Sequence, residues 1–219
     1  RSTLFPYTTL FRSPYRPEPN LFTRADVIAG LAHLKPVHSF RSHYDYDNLL
    51  YIVAGEVAAA AAGVPYEELV RRELFEPLGM TRCQAGEFRR DDVGNVAQPH
   101  MLQGERNVPI RRDGEVIPAG TLAAAGGIRC SLNDMLKWVR MWLDPGLAPA
   151  AGAPPWLTRA QRDALWAPHT IMPISLRQRA WDKSRFYAYG YGWRISDVHG
   201  VWRVAHRSEE HTSELQSPI

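Results

Sequence analysis

The run NLLYIVAGEVAAAAA, residues 48–62, constrains this chain more than any other segment. Only Glu56 interrupts an apolar surface that continues around every side. A β-strand is rarely that long, and alanine favours the helix more than any other residue. Gly63 follows, and glycine is the residue that most easily takes the left-handed backbone that ends a helix. The segment therefore predicts a helix over 48–62, buried on most of its faces.

The other helices carry clearer start and stop signals. Thr23 with Asp26 forms a capping pair ahead of Val27, Ile28, Leu31 and Leu34, which predicts an amphipathic helix over 24–34 ended by Lys35-Pro36. Pro65 opens the segment YEELVRRELF, acidic first and basic later, as the helix dipole favours. Ser131 and Asp134 cap LNDMLKWVRMWL, whose Leu132, Met135, Leu136, Val139 and Leu143 are expected to point inward. Thr158 and Gln161 form a capping box for a short helix over 159–166. Residues 85–120 have no clear period and read as loops with short strands. RFYAYGYGWRI and GVWRVA, separated by SDVH, read as an antiparallel hairpin. Helices grouped ahead of strands give an α+β fold class.

Composition excludes several functions. A net charge of +3 is too small and too scattered to argue for nucleic acid. No segment reaches the roughly 20 apolar residues of a membrane span. The two cysteines, Cys83 and Cys130, lack the spacing of a metal or redox motif and read as two small buried thiols. G-x-S-x-G is absent, which leaves an ordinary α/β-hydrolase elbow unsupported, and no cofactor or metal motif is present, H-E-x-x-H and a phosphate-binding glycine loop both being absent.

Chemistry is suggested instead by Tyr46-Asp47-Asn48, a Y-x-N triplet at the mouth of the 48–62 helix. Alone, the triplet is better explained by a core tyrosine and an asparagine helix cap. Its surroundings carry more. SFRSHYDYDNLLYIVAGEVAAAAAGVPYEELVRRELFEPLGMTRC resembles the second-motif region of the penicillin-recognising serine hydrolases, a superfamily of class C β-lactamases, D-Ala-D-Ala carboxypeptidases and esterases. PAGTLAAAGGIRCSLNDMLKWVRMWL and YGYGWRISDVHGVWRVAH resemble two later segments of the same superfamily, in the same order.

The resemblance implies a β-lactamase/transpeptidase-like fold, here truncated to the helical subdomain and part of an antiparallel sheet. It implies cleavage of an amide or ester bond through an acyl-serine. It places Tyr46 as general base and acid, Asn48 as an amide donor to the substrate or to the nucleophile–lysine pair, and His206 at the first position of a third motif written K-T-G or H-x-G. The three are expected to line one cleft. The substrate would be a small molecule or peptide, and the compartment periplasmic or extracellular. The alternative is a non-catalytic binding or receptor protein that keeps the fold.

The sequence departs from the pattern in one respect. The superfamily's nucleophile lies in S-x-x-K, and the residues three before Lys35, Lys137 and Lys183 are Ala32, Asp134 and Ala180. The ends explain the gap. Residues 1–13 and 207–219 back-translate into strings resembling short-read sequencing adaptors, and are expected to be non-biological scars. The natural segment is then 14–206, an internal piece of a longer hydrolase gene, itself expected to be inactive.

Overall fold

The computed structural model describes residues 22–36, 38–39, 42–98, 100–109, 116–117, 120–146 and 152–206. The two expected scars lie outside the described residues. The chain divides into two compact units. The first holds residues 22–34 and 47–143, and the second holds 35–46, 144–146 and 152–206.

The first unit is mainly helical. Helix α1 (Arg24–Leu31) starts at the Thr23–Asp26 capping box. It ends at Leu31, short of the expected 34, and its C-cap is Ala32. Helix α2 (Asn48–Ala62) has the expected limits, and Gly63 caps it at a φ of 68°. Helix α3 (Tyr66–Val70) runs on as a wider π turn, Arg71–Phe75. Short pieces follow: β1 (Phe88–Arg89), α4 (Arg90–Val93), β2 (His100–Gln103), β3 (Arg106–Pro109), β4 (Val116–Ile117) and α5 (Ala123–Gly126). Helix α6 (Leu132–Leu143) closes the unit.

Two clusters form the core here. Val27, Leu49 and Ile52 join α1 to α2, with Leu31 and Leu122 beside them. Val70, Phe75, Met80, Cys83 and Ala85 make the other, with Trp138 of α6 packed on it. Arg24 ties the helices together from outside, pairing with Glu56 of α2 and Glu67 of α3.

Three expectations fail in this unit. Helix α2 is not buried on most faces. Leu49, Ile52, Gly55 and Ala59 face inward, but Leu50 is 59% and Val57 63% exposed. The apolar stripe of α6 also faces out: Leu132, Leu136, Val139 and Leu143 are exposed, and so is Met135. The opposite side, with Asp134, Met141 and Trp142, is buried, and Trp138 meets Trp142 edge-on at 5.4 Å. Trp138 packs on the cluster of Val70, Phe75 and Met80; hydrophobic periodicity reports which side is apolar without reporting what covers it.

The cysteines are the third. Cys83 and Cys130 form a disulfide, not two thiols. Gln84 and Arg129 exchange both backbone hydrogen bonds, at 2.7 and 2.8 Å, in an isolated antiparallel bridge. Their neighbours Cys83 and Cys130 therefore fall opposite each other at the closer kind of pair, with Cα atoms 4.1 Å apart. That bridge joins segments 47 positions apart, beyond the reach of local sequence pattern.

The second unit is built on a four-stranded antiparallel sheet in the order β5-β6-β7-β8. Helix α7 (Arg159–Leu165) precedes it, opened by the Thr158–Gln161 capping box. The strands are β5 (Thr170–Ile171), β6 (Tyr187–Tyr189), β7 (Arg194–Val198) and β8 (Val201–Ala205). Ser196, Asp197 and Val198 belong to β7 and not to the turn, which shrinks to His199-Gly200. Both residues have positive φ, 50° and 81°, the backbone of a two-residue turn that matches strand twist. Polar residues can occupy this strand because they are satisfied. Asp197 accepts from the N–H groups of Arg185 and Phe186, and its carbonyl accepts from Ser184. These contacts hold the Asp197 carboxyl below the usual range, the Arg185 N–H foremost.

Candidate active site

Tyr46 lies in the second unit, on the non-helical approach to α2, and is 42% exposed. The residue after it, Asp47, is the helix cap: its carboxylate accepts from Leu49 N–H at 2.7 Å and from Leu50 N–H at 3.4 Å. Asn48 is the first helical residue of α2, half-buried, in the first unit. The bland explanation of the triplet thus fails on both counts. The tyrosine is not in a core, and the asparagine is not the cap.

His206 follows β8 directly and is exposed. Its Nδ1 lies 2.5 Å from the carbonyl oxygen of Gly192. A carbonyl can only accept, so Nδ1 carries the proton of that bond. In neutral His206 the lone pair then sits on Nε2.

Gly192 belongs to the β6–β7 turn, and that turn is held from behind. Gly190 donates to Trp193 O at 2.8 Å. A Cβ at Gly190 would stand 2.8 Å from Leu165 O and 2.9 Å from Ala167 O, so only glycine fits there. Trp166 and Trp193 meet edge-on at 6.2 Å on the same side of the unit.

Two residues not anticipated from sequence complete this end of the sheet. The Tyr44 ring lies 4.8 Å from that of Tyr189 on β6. Tyr189 is the register partner of Arg194, which is in turn the partner of Ala205, the residue before His206. Burial pushes the Tyr44 phenol above its ordinary range, against the pull of the Arg194 guanidinium. The sequence signal was the two-residue spacing of Tyr44 and Tyr46, together with an arginine set among the aromatic residues of the hairpin.

A cavity of about 630 Å³ in the first unit is lined by Thr81, Arg82, Asn95, Ser131, Asn133 and Lys137, and contains none of the expected site residues. Its cations are engaged: Arg82 donates to Val93 O and Gly94 O, and Lys137 to Gly79 O and Asp134. Among the described residues no group of three His, Cys, Asp or Glu is placed to hold a metal ion, and no single helix is long and apolar enough to cross a membrane.

Comparison with known proteins bears on the fold and the family. The unguisins hydrolase ungD' of Aspergillus campestris is 24% identical over 187 residues, 80% of this chain and 33% of that protein. The octameric penicillin-binding protein homologue of Pyrococcus abyssi superposes with a TM-score of 0.69 at 22% identity, over 91% of this chain and 42% of its own. The D-amino acid amidase of Ochrobactrum anthropi superposes with a TM-score of 0.56 at 20% identity, over 86% of this chain and 50% of its own. The chain thus spans about a third to a half of the proteins it resembles, and shares with the latter two the β-lactamase/transpeptidase-like fold. The sequence model of the Beta-lactamase family matches residues 1–214, nearly the whole chain, which therefore belongs to the beta-lactamase family.

Proposed function

We propose that this chain carries part of the active site of a serine hydrolase that cleaves an amide or ester bond through an acyl-serine. Tyr46 moves the proton, Asn48 donates its side-chain amide to the substrate, and His206 presents Nε2 to the substrate from the end of β8. The observation that carries this reading is Asp47's occupation of the helix cap. It relieves Asn48 of a structural task and leaves an exposed tyrosine beside it. An exposed phenol titrates near pH 10 and becomes a base at neutral pH only when cations stabilise its anion. Such cations would include the lysine of an S-x-x-K motif, which this chain does not contain.

The nucleophile therefore belongs to a portion of the parent hydrolase outside residues 14–206, and the stretches 1–13 and 207–219 are adaptor-derived. The Cys83–Cys130 disulfide fits an oxidising compartment, periplasmic or extracellular.

A labelled penicillin tests the assignment. The longer gene product is expected to form a covalent adduct or to hydrolyse a p-nitrophenyl ester, and Tyr46→Phe is expected to abolish both. The 219-residue chain is expected to do neither. An adduct on this chain itself would place the nucleophile within it and overturn the mechanism. A longer product with no S-x-x-K and no adduct would favour a binding protein on the same fold.

A further inference from the structure

His206 is anchored through one ring nitrogen. Its Nδ1 lies 2.5 Å from the Gly192 carbonyl oxygen. That oxygen can only accept, so the proton of the neutral ring is on Nδ1 and the lone pair on Nε2. The carbonyl is itself fixed. Gly192 has a φ of 79°, a left-handed backbone that glycine adopts without strain. Its N–H donates to Gly190 O at 3.0 Å, and the Gly190 N–H donates to Trp193 O at 2.8 Å. The Tyr191 N–H reaches Leu165 O at 3.4 Å, and a Cβ on Gly190 would collide with that same oxygen. On the next strand Ala205 is the register partner of Arg194, which brings the end of β8 beside the turn. The Gly192 carbonyl thus does not depend on His206 for its position.

The superfamily pattern allows lysine or histidine at this position, and the two offer opposite hydrogen bonds. A lysine ammonium has three donors and no acceptor. It suits a carboxylate. A neutral imidazole bonded through Nδ1 offers Nε2 as an acceptor, and an ordinary imidazole is mostly neutral above pH 7. A carboxylate set against that lone pair brings acceptor to acceptor. An amine or an amide N–H brings a complementary atom.

We infer that the substrate group facing His206 is a hydrogen-bond donor, an amine or an amide N–H, and not a carboxylate, because the Gly192 carbonyl holds the ring proton on Nδ1. The inference rests on the reading of His206 as the residue that faces the substrate from the end of β8. It adds the chemical class of the substrate on that side.

The tautomer is read in this chain by 15N NMR of its histidines at about pH 8, where an imidazole is neutral, with His206 identified by the signals lost in His206→Gln. The expected form is Nδ1–H, and a predominant Nε2–H form overturns the inference. His100 is an internal reference in the first unit, since its Nδ1 lies 2.8 Å from Gln98 O. Gly190→Ala pushes the turn away from Leu165 O, and should move His206 toward Nε2–H while His100 stays unchanged. A glycine that served stability alone would lower the melting temperature without moving the tautomer, and an unmoved tautomer in the folded variant overturns the role given to Gly192. If the variant does not fold, the tautomer of the unmodified chain decides. The ligand class is read in the longer gene product, from displacement of the His206 signals by benzylamine, phenylacetamide and phenylacetate. The amine and the amide should bind at least about tenfold more tightly than the carboxylate, and His206→Lys should reverse the order. Equal or tighter binding of phenylacetate, or no displacement by any of the three, overturns the inference. Neither readout needs turnover, so a donor preference in a product that hydrolyses no ester would leave this inference standing and refute the hydrolase reading.

Discussion

Asp134, in the first turn of α6, accepts a 2.7 Å hydrogen bond from the backbone N–H of Arg82, fifty-two residues earlier in the chain. Its other oxygen lies 2.7 Å from the Lys137 ammonium, and its own N–H is capped by Ser131 Oγ at 3.2 Å. Asp134 is 2% exposed. Burial pushes its pKa up, but Lys137 and the Arg82 N–H outweigh that and hold it below the ordinary value. A depressed folded-state pKa means stability that is present above the unfolded value and lost as pH falls through the folded one. Asp134→Asn should therefore cost about 1–3 kcal/mol at neutral pH. The cost should shrink in acid, below about pH 4. Denaturant midpoints of both proteins across pH 2–7 check this, and a pH-independent difference would contradict it.

The Cys83–Cys130 bridge closes a loop of 47 residues. Chain entropy alone assigns such a bridge about 4 kcal/mol, and native disulfides typically contribute about 2–4 kcal/mol. Thermal melts with and without a reductant should differ accordingly, and Cys83→Ser should match the reduced protein. If reduction leaves the melt unmoved, the bond contributes nothing to this fold.

Helix α6 presents Leu132, Leu136, Val139 and Leu143 at 75, 55, 44 and 71% exposure. An apolar patch of that kind binds hydrophobic dyes and promotes self-association. The double variant Leu136→Glu/Val139→Glu should lose most of the dye fluorescence with an unchanged far-UV circular dichroism spectrum. Loss of helicity would instead show that these leucines support the fold.

Asp47 and Asn48 separate structure from chemistry within one triplet. Asp47→Ala removes the cap of α2 and should cost about 1 kcal/mol. Asn48→Ala and Tyr46→Phe should each change stability by less than about 0.5 kcal/mol, while disabling the longer enzyme. A large stability loss in Asn48→Ala would assign that residue to the fold.

The limits of α2, the capping boxes at Thr23 and Thr158, and the turn joining β7 to β8 were legible in the sequence because each depends on contacts within a few residues; the expected single arm RFYAYGYGWRI instead folds back on itself as β6 and β7. Cap chemistry, alternation and the left-handed preference of glycine act locally. The Y-x-N triplet was legible for the same reason, as a short string in a recognisable order of segments. What the sequence could not determine was which side of each apolar helix would be covered. An exposed and a buried leucine stripe have the same period, and on α6 the burial of Trp138 and Trp142 decided between them. Nor could it pair Cys83 with Cys130, since the two meet only through the Gln84–Arg129 bridge. Arg194 belongs with these. Its place beside Tyr189 follows from sheet register, a relation between strands that no single strand records.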